Sequence, residues 1–422
     1  MRILVLTQFR RKVGGAESYL HTLLPALQQR GHEVAICYQV EGPEDRPRLN
    51  LPREIREFLP GDPASVLAQI GQWRPAIIFC QGISDLEFEA QILKLAPGMF
   101  YAHNYQCTCI SGAKTRSFPT PAPCQRTFGA ACLLQYFPRR CGGLNPATML
   151  KRYRDQYSRL ESLQNYAAVA TNSEYLAGEY RRHGLNAQCL YLFAQSQKEV
   201  ASSNSSECRT QRLLFAGRME RLKGGGVLLE ALPNVMRAGG AELQLTFAGD
   251  GPERSAWQQK AARIEAEHSG IHVLFKGWLD KPALEEEFLC ADVLVVPSLW
   301  PEPFGLVGLE AGLYGVPAAA FAVGGIPEWL HDGENGHLAP GDPPQAAALA
   351  HAITRTLDPA DHERLRAGAG KMAQRWTVER HCRELERLFE TTIGETTTGE
   401  TTVKRNSSHN RPVRGGVRAK AN

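Results

Sequence analysis

Short apolar runs alternate along the chain with stretches whose apolar residues recur every three to four positions. In the first half, strand-sized apolar runs fall at 3–6, 34–38, 76–80, 99–102 and 167–171. Between them, 15–30 places Tyr19, Leu20, Leu23, Leu24 and Leu27 on one helical face, and 64–73, 85–95 and 147–166 also carry helical spacing. A second series begins at 212–216 and continues with runs at 243–248, 272–276, 293–297 and 317–322. Helical patterns separate these runs and continue from about 344 to 391. Strand–helix alternation of this kind predicts an α/β fold of parallel sheets joined by right-handed crossovers. At 422 residues the chain exceeds one typical core, which predicts two domains.

The rhythm fails in two places. Residues 105–146 are rich in Cys, Pro and Gly and read as an insertion in the first domain. Residues 195–210 are polar, with a Ser/Asn run at 202–206, and read as the linker. The expected division is therefore 1–194, a linker at 195–210, a second domain at 211–376, a helix at 377–392 returning to the first domain, and a basic tail from 393.

Composition changes this picture little. Hydrophobic residues make up 43% and charged residues 22%, an ordinary globular balance. The net charge of +4 is misleading, because Lys404, Arg405, Arg411, Arg414, Arg418 and Lys420 lie in a tail segment with no acid. Without those six the rest of the chain carries −2, so nothing in it demands nucleic acid. The tail is expected to be solvated and disordered, with attraction to an anionic membrane surface as the sharper alternative. Helix 147–166, with Lys151, Arg152, Arg154 and Arg159 around apolar residues, is a second candidate for peripheral membrane contact; core packing with a basic outer face is the default. No apolar run approaches the roughly 20 residues that span a bilayer. The first residues read as a buried strand rather than a leader, so a cytoplasmic location is expected.

The candidate chemistry falls just after strands, where ligands bind in open parallel sheets. Gly14 and Gly15 open the first helix, where backbone N–H groups favour an anion. His103 follows the run at 99–102. Gly217-Arg-Met-Glu-Arg-Leu-Lys-Gly224 holds Arg218 and Lys223 around a strand-to-helix turn, two fixed cations suited to a diphosphate. Such a pair would also stabilise the charge that develops on a departing diphosphate. Gly249-Asp-Gly251 follows the next run. Trp300-Pro-Glu-Pro-Phe-Gly-Leu-Val-Gly-Leu-Glu310 separates two carboxylates, Glu302 and Glu310, by seven residues. Glu302 is expected in a loop and Glu310 on the cleft-facing side of a helix, where a carboxylate can accept hydrogen bonds from a vicinal diol.

With Gly249-Asp-Gly-Pro252 and Gly324-Gly-Ile-Pro-Glu328 added in order, the chain resembles the retaining GT-B glycosyltransferases of family 4, over roughly residues 1–392. The resemblance implies two Rossmann-like domains facing across a cleft, the second holding a nucleotide sugar. It implies that Arg218 and Lys223 bind the donor diphosphate, Glu310 the ribose, and Glu302 the donor sugar. Pro303, Phe304, Gly305 and Leu306 would cradle sugar and phosphate by their backbone. Gly14, Gly15 and Gly249 would approach the donor, and His103 would stand near the transferred sugar. The catalytic set is then His103, Glu302, Arg218 and Lys223. The implied reaction moves a sugar from a UDP- or GDP-linked donor to a glycan or lipid-linked glycan, with retention and front-face attack, in surface polysaccharide assembly such as exopolysaccharide or lipopolysaccharide. No catalytic metal is expected: no Asp-x-Asp sequence suits a metal–nucleotide site.

Two features depart from the pattern. Cys109, Cys124, Cys132 and Cys141 could supply four thiolates to a structural zinc ion or iron–sulfur cluster, although their spacing is not that of paired Cys-x2-Cys knuckles; free thiols in a packed loop are the plainer reading. Arg10-Arg-Lys12 stands at the cleft and would suit a phosphate-bearing acceptor, or be solvated. A nucleotide-sugar epimerase and a catalytically silent nucleotide-sugar-binding module are the alternative functions.

Overall fold

The computed structural model describes residues 1–194 and 210–397. The expected linker, apart from Thr210, and the tail from 398 onward lie outside the described residues. The first domain contains strands β1 (Arg2–Phe9), β2 (Glu33–Val40), β3 (Arg56–Phe58), β4 (Ile77–Cys80) and β5 (Gly98–Ala102). A two-stranded ribbon follows, β6 (Thr115–Arg116) and β7 (Ala122–Pro123), and then β8 (Ala168–Thr171) and β9 (Ala187–Cys189). The second domain contains β10 (Thr210–Ala216), β11 (Glu242–Ala248), β12 (Ile271–Gly277), β13 (Val293–Val296), β14 (Ala318–Phe321) and β15 (Gly336–Ala339).

Both main sheets are parallel. The first has the order β3-β2-β1-β4-β5-β8-β9 and the second β12-β11-β10-β13-β14-β15. The strand order reverses beside β1 and beside β10, and the crevice at such a switch point is where open α/β sheets bind ligands. Strands buried on both faces read as continuous apolar runs, which is why β4, β13 and β14 are wholly buried.

Helix starts follow from side-chain caps. Asp62, Asp85, Asn145, Ser173, Asp280 and Asp358 each accept a hydrogen bond from a backbone N–H of the first turn. Proline occupies the first turn after Asp62, Asn145, Asp280 and Asp358, where its missing N–H costs nothing. The last helix, Val378–Thr397, extends beyond the expected end at 392. It buries Val378, Cys382, Leu385 and Phe389 in the core of the first domain, beside Leu20, Leu23 and Leu24. Tyr19 Oη lies 2.7 Å from His381 Nε2, and Arg30 meets Glu386 at 2.6 Å, fastening that helix to Gly15–Gln29.

The helix at Pro146–Ser162 corrects one expectation. Arg159 is not on a basic outer face: it is buried and paired with Glu89 at 2.6 Å. Lys151, Arg152 and Arg154 are exposed. Among the described residues no helix is long and apolar enough to cross a membrane.

Candidate functional site

The loop after β10 turns sharply beside the end of β11. Gly249 has φ +140°, and a Cβ there would stand 2.0 Å from the Gly217 carbonyl oxygen, so the close backbone approach requires glycine. Arg218 follows, its side chain 68% exposed and 3.2 Å from Glu220, and therefore able to reach a ligand. Lys223 ends the short turn Arg221–Lys223. Gly224 (φ +76°) then packs so tightly on the Pro297 carbonyl that a Cβ would fall 1.8 Å from its oxygen.

This arrangement delivers Lys223 to Glu302. Lys223 Nζ lies 2.8 and 3.0 Å from the two Glu302 carboxylate oxygens, and 5.3 Å from the centre of the Trp300 ring. Glu302 Oε2 also accepts hydrogen bonds from Ser298 Oγ at 2.9 Å and Trp300 Nε1 at 2.7 Å. Glu302 is 8% exposed, and four hydrogen bonds offset the cost of burying its charge. Sequence reasoning assigned Lys223 and Glu302 to separate parts of a donor; the structure brings them into one ion pair.

The backbone from Glu302 to Leu306 is anchored from below. The Glu302 carbonyl accepts from Gly325 N at 2.7 Å, and the Phe304 carbonyl accepts from Trp329 Nε1 at 2.7 Å. A Cβ on Gly324 (φ +61°) would stand 2.1 Å from the Glu302 carbonyl oxygen, which accounts for the double glycine. Pro303 and Phe304 are buried, and the Phe304 ring packs against Tyr191 and Trp376, so only the Phe304 backbone can serve a ligand. Gly305 (φ +90°) begins the helix Leu306–Leu313. Glu310 lies on that helix; burial raises its carboxyl above the usual range, Lys281 opposes that shift and Glu285 adds to it.

On the first domain, Gly14 is the N-cap of Gly15–Gln29, and its N–H donates to Glu17 Oε2 at 2.8 Å. One donor of that helix start is thus already used. Gly15 faces open space: a Cβ added there would have nothing within 4 Å. His103 follows β5; its Nε2 lies 2.7 Å from Gln81 Oε1 and its ring is edge-on to Tyr101 at 4.8 Å. With Gln81 Oε1 accepting, Nε2 carries the proton and Nδ1 is left as acceptor. Burial, and then His381, lower the His103 pKa to about 4, so the ring is neutral near pH 7.

The two strand-end surfaces meet. Tyr105 Oη donates to the Pro301 carbonyl at 2.7 Å. Glu328 accepts from the backbone N–H groups of Glu174 and Tyr175 at 2.8 and 2.7 Å, at the start of helix Glu174–Arg181. Beside the Lys223–Glu302 pair lies a cavity of about 530 Å³, with Asn104, Gln106, Gln156, Leu222, Lys223 and Trp300 among its lining. Asn104 Oδ1 accepts from Gln106 N, and Gln156 Oε1 from Cys107 N, which leaves the amide N–H₂ ends of Asn104 and Gln156 as donors.

Arg10 and Arg11 do not form a free anion site. Arg10 meets Glu57 at 3.1 Å and Glu41 at 3.6 Å, while Arg11 meets Glu41 at 3.8 Å and donates to the Glu44 and Arg46 carbonyls. Cys109, Cys124, Cys132 and Cys141 line a second cavity, of about 350 Å³. Burial, and then the proximity of Cys109, Cys124 and Cys132, push the Cys141 thiol up to about 11. Gln81, Lys281 and Tyr105 were missed from sequence, and Ser298 and Trp300 were given no role. Trp300 heads the stretch already singled out and Ser298 stands two residues before it, whereas Gln81 is signalled only by its place after β4 at the switch point.

Two parallel α/β sheets meeting by their strand ends, with the Lys223–Glu302 pair at the junction, define the GT-B class. The "Glycosyl transferases group 1" model matches residues 210–359 and the "Glycosyltransferase Family 4" model residues 13–192. The chain belongs to the group 1, family 4 glycosyltransferases. It is 35% identical over 188 residues to a phosphatidyl-myo-inositol mannosyltransferase of Mycobacterium tuberculosis, covering 43% of this chain and 47% of that protein. It is 38% identical over 168 residues to a D-inositol 3-phosphate glycosyltransferase of Thermomonospora curvata, covering 38% of each. The match thus spans about half the length of the first relative, or less. Anabaena HepE, solved with UDP and glucose, superposes with a TM-score of 0.64 at 18% identity, over 93% of this chain and 100% of that one. A sucrose-phosphate synthase of Thermosynechococcus elongatus gives 0.65 at 21% identity, over 93% and 99%. At such identities these two speak for the fold alone.

Proposed function

We propose that the chain transfers a sugar from a nucleotide diphosphate donor to a hydroxyl of a glycan or lipid-linked glycan, with retention and without a catalytic metal. The observation that carries the reading is the Lys223–Glu302 pair, with an exposed Arg218 in the same strand-to-helix segment. A donor diphosphate entering here meets two cations in place of a divalent ion, and Lys223 shifts from Glu302 toward the phosphate as negative charge develops there. Glu302, still held by Ser298 and Trp300, is then free to accept from donor sugar hydroxyls. Glu310 takes the ribose diol, and the backbone of Pro303–Leu306, with Gly249, Gly14 and Gly15, lines the phosphate and sugar path. His103, neutral and fixed by Gln81, presents Nδ1 to accept a hydrogen bond from a hydroxyl of the transferred sugar.

No side-chain nucleophile is required: the acceptor hydroxyl attacks the anomeric carbon on the face the diphosphate leaves, the glycosidic C–O bond to phosphate breaks, and the departing phosphate oxygen takes the acceptor's proton. The cavity of about 530 Å³ beside Trp300 is the acceptor site in this reading. Amide donors and one aromatic face suit a polyhydroxylated saccharide, consistent with a role in surface polysaccharide or glycolipid assembly. The relatives named for inositol-based acceptors support the acceptor class.

The test is a thermal-shift panel of nucleotide diphosphates and their sugars, with and without EDTA, because a ligand bound only by the native state raises its melting temperature. One nucleotide family should stabilise the protein equally in EDTA and lose its effect in Lys223→Ala. No shift from any nucleotide at saturation would contradict the reading.

A further inference from the structure

We propose that Cys109, Cys124, Cys132 and Cys141 form a structural zinc site that braces the segment between β5 and the helix Pro146–Ser162. The four line one cavity and are free thiols, brought together from Cys109-x14-Cys124-x7-Cys132-x8-Cys141. Among the described residues no three such side chains form a group that could hold a metal ion as they are placed, so the site requires the four thiols to draw together around the ion.

Three observations favour an ion there. The first is the poverty of this segment's own core. Its regular structure is the short ribbon β6–β7 and the helix Ala131–Gln135, and its own small core is Ile110, Phe128 and Tyr136, with Cys132, Leu133, Phe137 and Cys141 packed against them. Stretches this small are generally held by a metal, disulfides or a neighbour. The second is charge. Four thiolates around one divalent cation carry −2, and Arg116, Arg126 and Arg139 line the same cavity. Those cations have no anionic wall to answer: among the described residues the one acid lining the cavity is Asp342. The third is ligand type. Four sulfur ligands without histidine suit a tetrahedral, redox-inert ion, with Zn–S distances near ~2.3 Å. On binding, each thiol releases its proton to solvent and four Zn–S bonds form.

The site stands beside the chemistry without entering it. Ser111 and Gly112, two and three residues beyond Cys109, line the larger cavity at Lys223 and Trp300. Bracing Cys109 therefore fixes one wall of the proposed acceptor site, while the assignment of the ion itself does not depend on the transfer reaction.

The test is zinc content of the full chain, purified under reducing conditions without added metal or chelator. One zinc per chain is expected, released by a thiol-blocking mercurial with four thiols consumed per ion. Cys124→Ser and Cys141→Ser should each lose it, while Cys290→Ser, at an exposed cysteine outside the cavity, should retain it. Should the variants fail to fold, cobalt exchange into wild-type protein reads the ligands directly, with intense sulfur-to-cobalt charge transfer and tetrahedral d–d bands expected. Native protein with no stoichiometric metal, iron in place of zinc, or a cobalt spectrum without thiolate bands would each overturn the assignment.

Discussion

Removing the Lys223 side chain isolates the electrostatic core of the site. In Lys223→Ala the Glu302 carboxylate keeps Ser298 and Trp300 but loses its cation. Breaking a fully buried pair by deleting one partner costs about 3–5 kcal/mol. Here the Lys223 side chain is 26% exposed and that of Glu302 10%, so water reaches the orphaned charge and about 1–2 kcal/mol is expected. At about 2–4 °C per kcal/mol for a domain of this size, the melting temperature should fall by roughly 2–8 °C. The loss in transfer should be larger, about 10²–10³ in kcat, comparable to deleting one preorganised group that faces developing charge. Lys223→Ala combined with Glu302→Gln separates the effects. The neutral amide no longer needs a cation, so about 1 kcal/mol of stability should return while turnover stays low. Calorimetry and nucleotide-release kinetics on wild type, the two single variants Lys223→Ala and Glu302→Gln, and the double variant read both quantities. Turnover in Lys223→Ala within about threefold of wild type, a barrier change under ~1 kcal/mol, would refute the reasoning.

Other sites give separate expectations. Glu310→Ala should raise the donor KM about 10–100-fold with an unchanged melting temperature, since the proposed role of this carboxylate is to hold the ribose; steady-state kinetics checks this. Glu328→Ala strips an anion from the start of helix Glu174–Arg181 across the domain junction, and should cost about 1–2 kcal/mol and raise KM for donor and acceptor together, read by thermal unfolding and kinetics. His103 and His381 are both lowered to about 4, chiefly by burial. An unfolded histidine titrates near ~6.5, so between these values the unfolded chain binds more protons than the native one. Their stabilising contribution is therefore complete above about pH 6.5 and is lost as pH falls toward 4; the melting temperature should drop across that window, less steeply in His381→Gln.

Much of this was legible in the sequence, for physical reasons. Strands buried on both faces, such as β4 and β13, must be continuous apolar runs, and glycines at strand ends mark where backbones meet. Short edge strands were not legible: Arg56–Phe58 and Ala187–Cys189 bury too few residues to leave a pattern, and Gly336–Ala339 contains a glycine and a histidine. Within the site, residue types and positions were readable but partnerships were not. Nothing in the spacing from Lys223 to Glu302 announces an ion pair, because it depends on how β10 and β13 lie side by side. Arg159 illustrates the same limit. A basic residue on an amphipathic helix reads as surface until Glu89, from a distant helix, supplies its buried partner.

The most direct test of the central claim needs no acceptor. Wild-type protein is incubated in EDTA with UDP-glucose and GDP-mannose, both α-linked, and the first sugar released to water is followed by proton NMR before mutarotation. The account predicts slow release of the α anomer from one donor, undiminished by EDTA and abolished in Lys223→Ala. Release of the β anomer first, an absolute need for divalent metal, or no release from a donor that binds would contradict it.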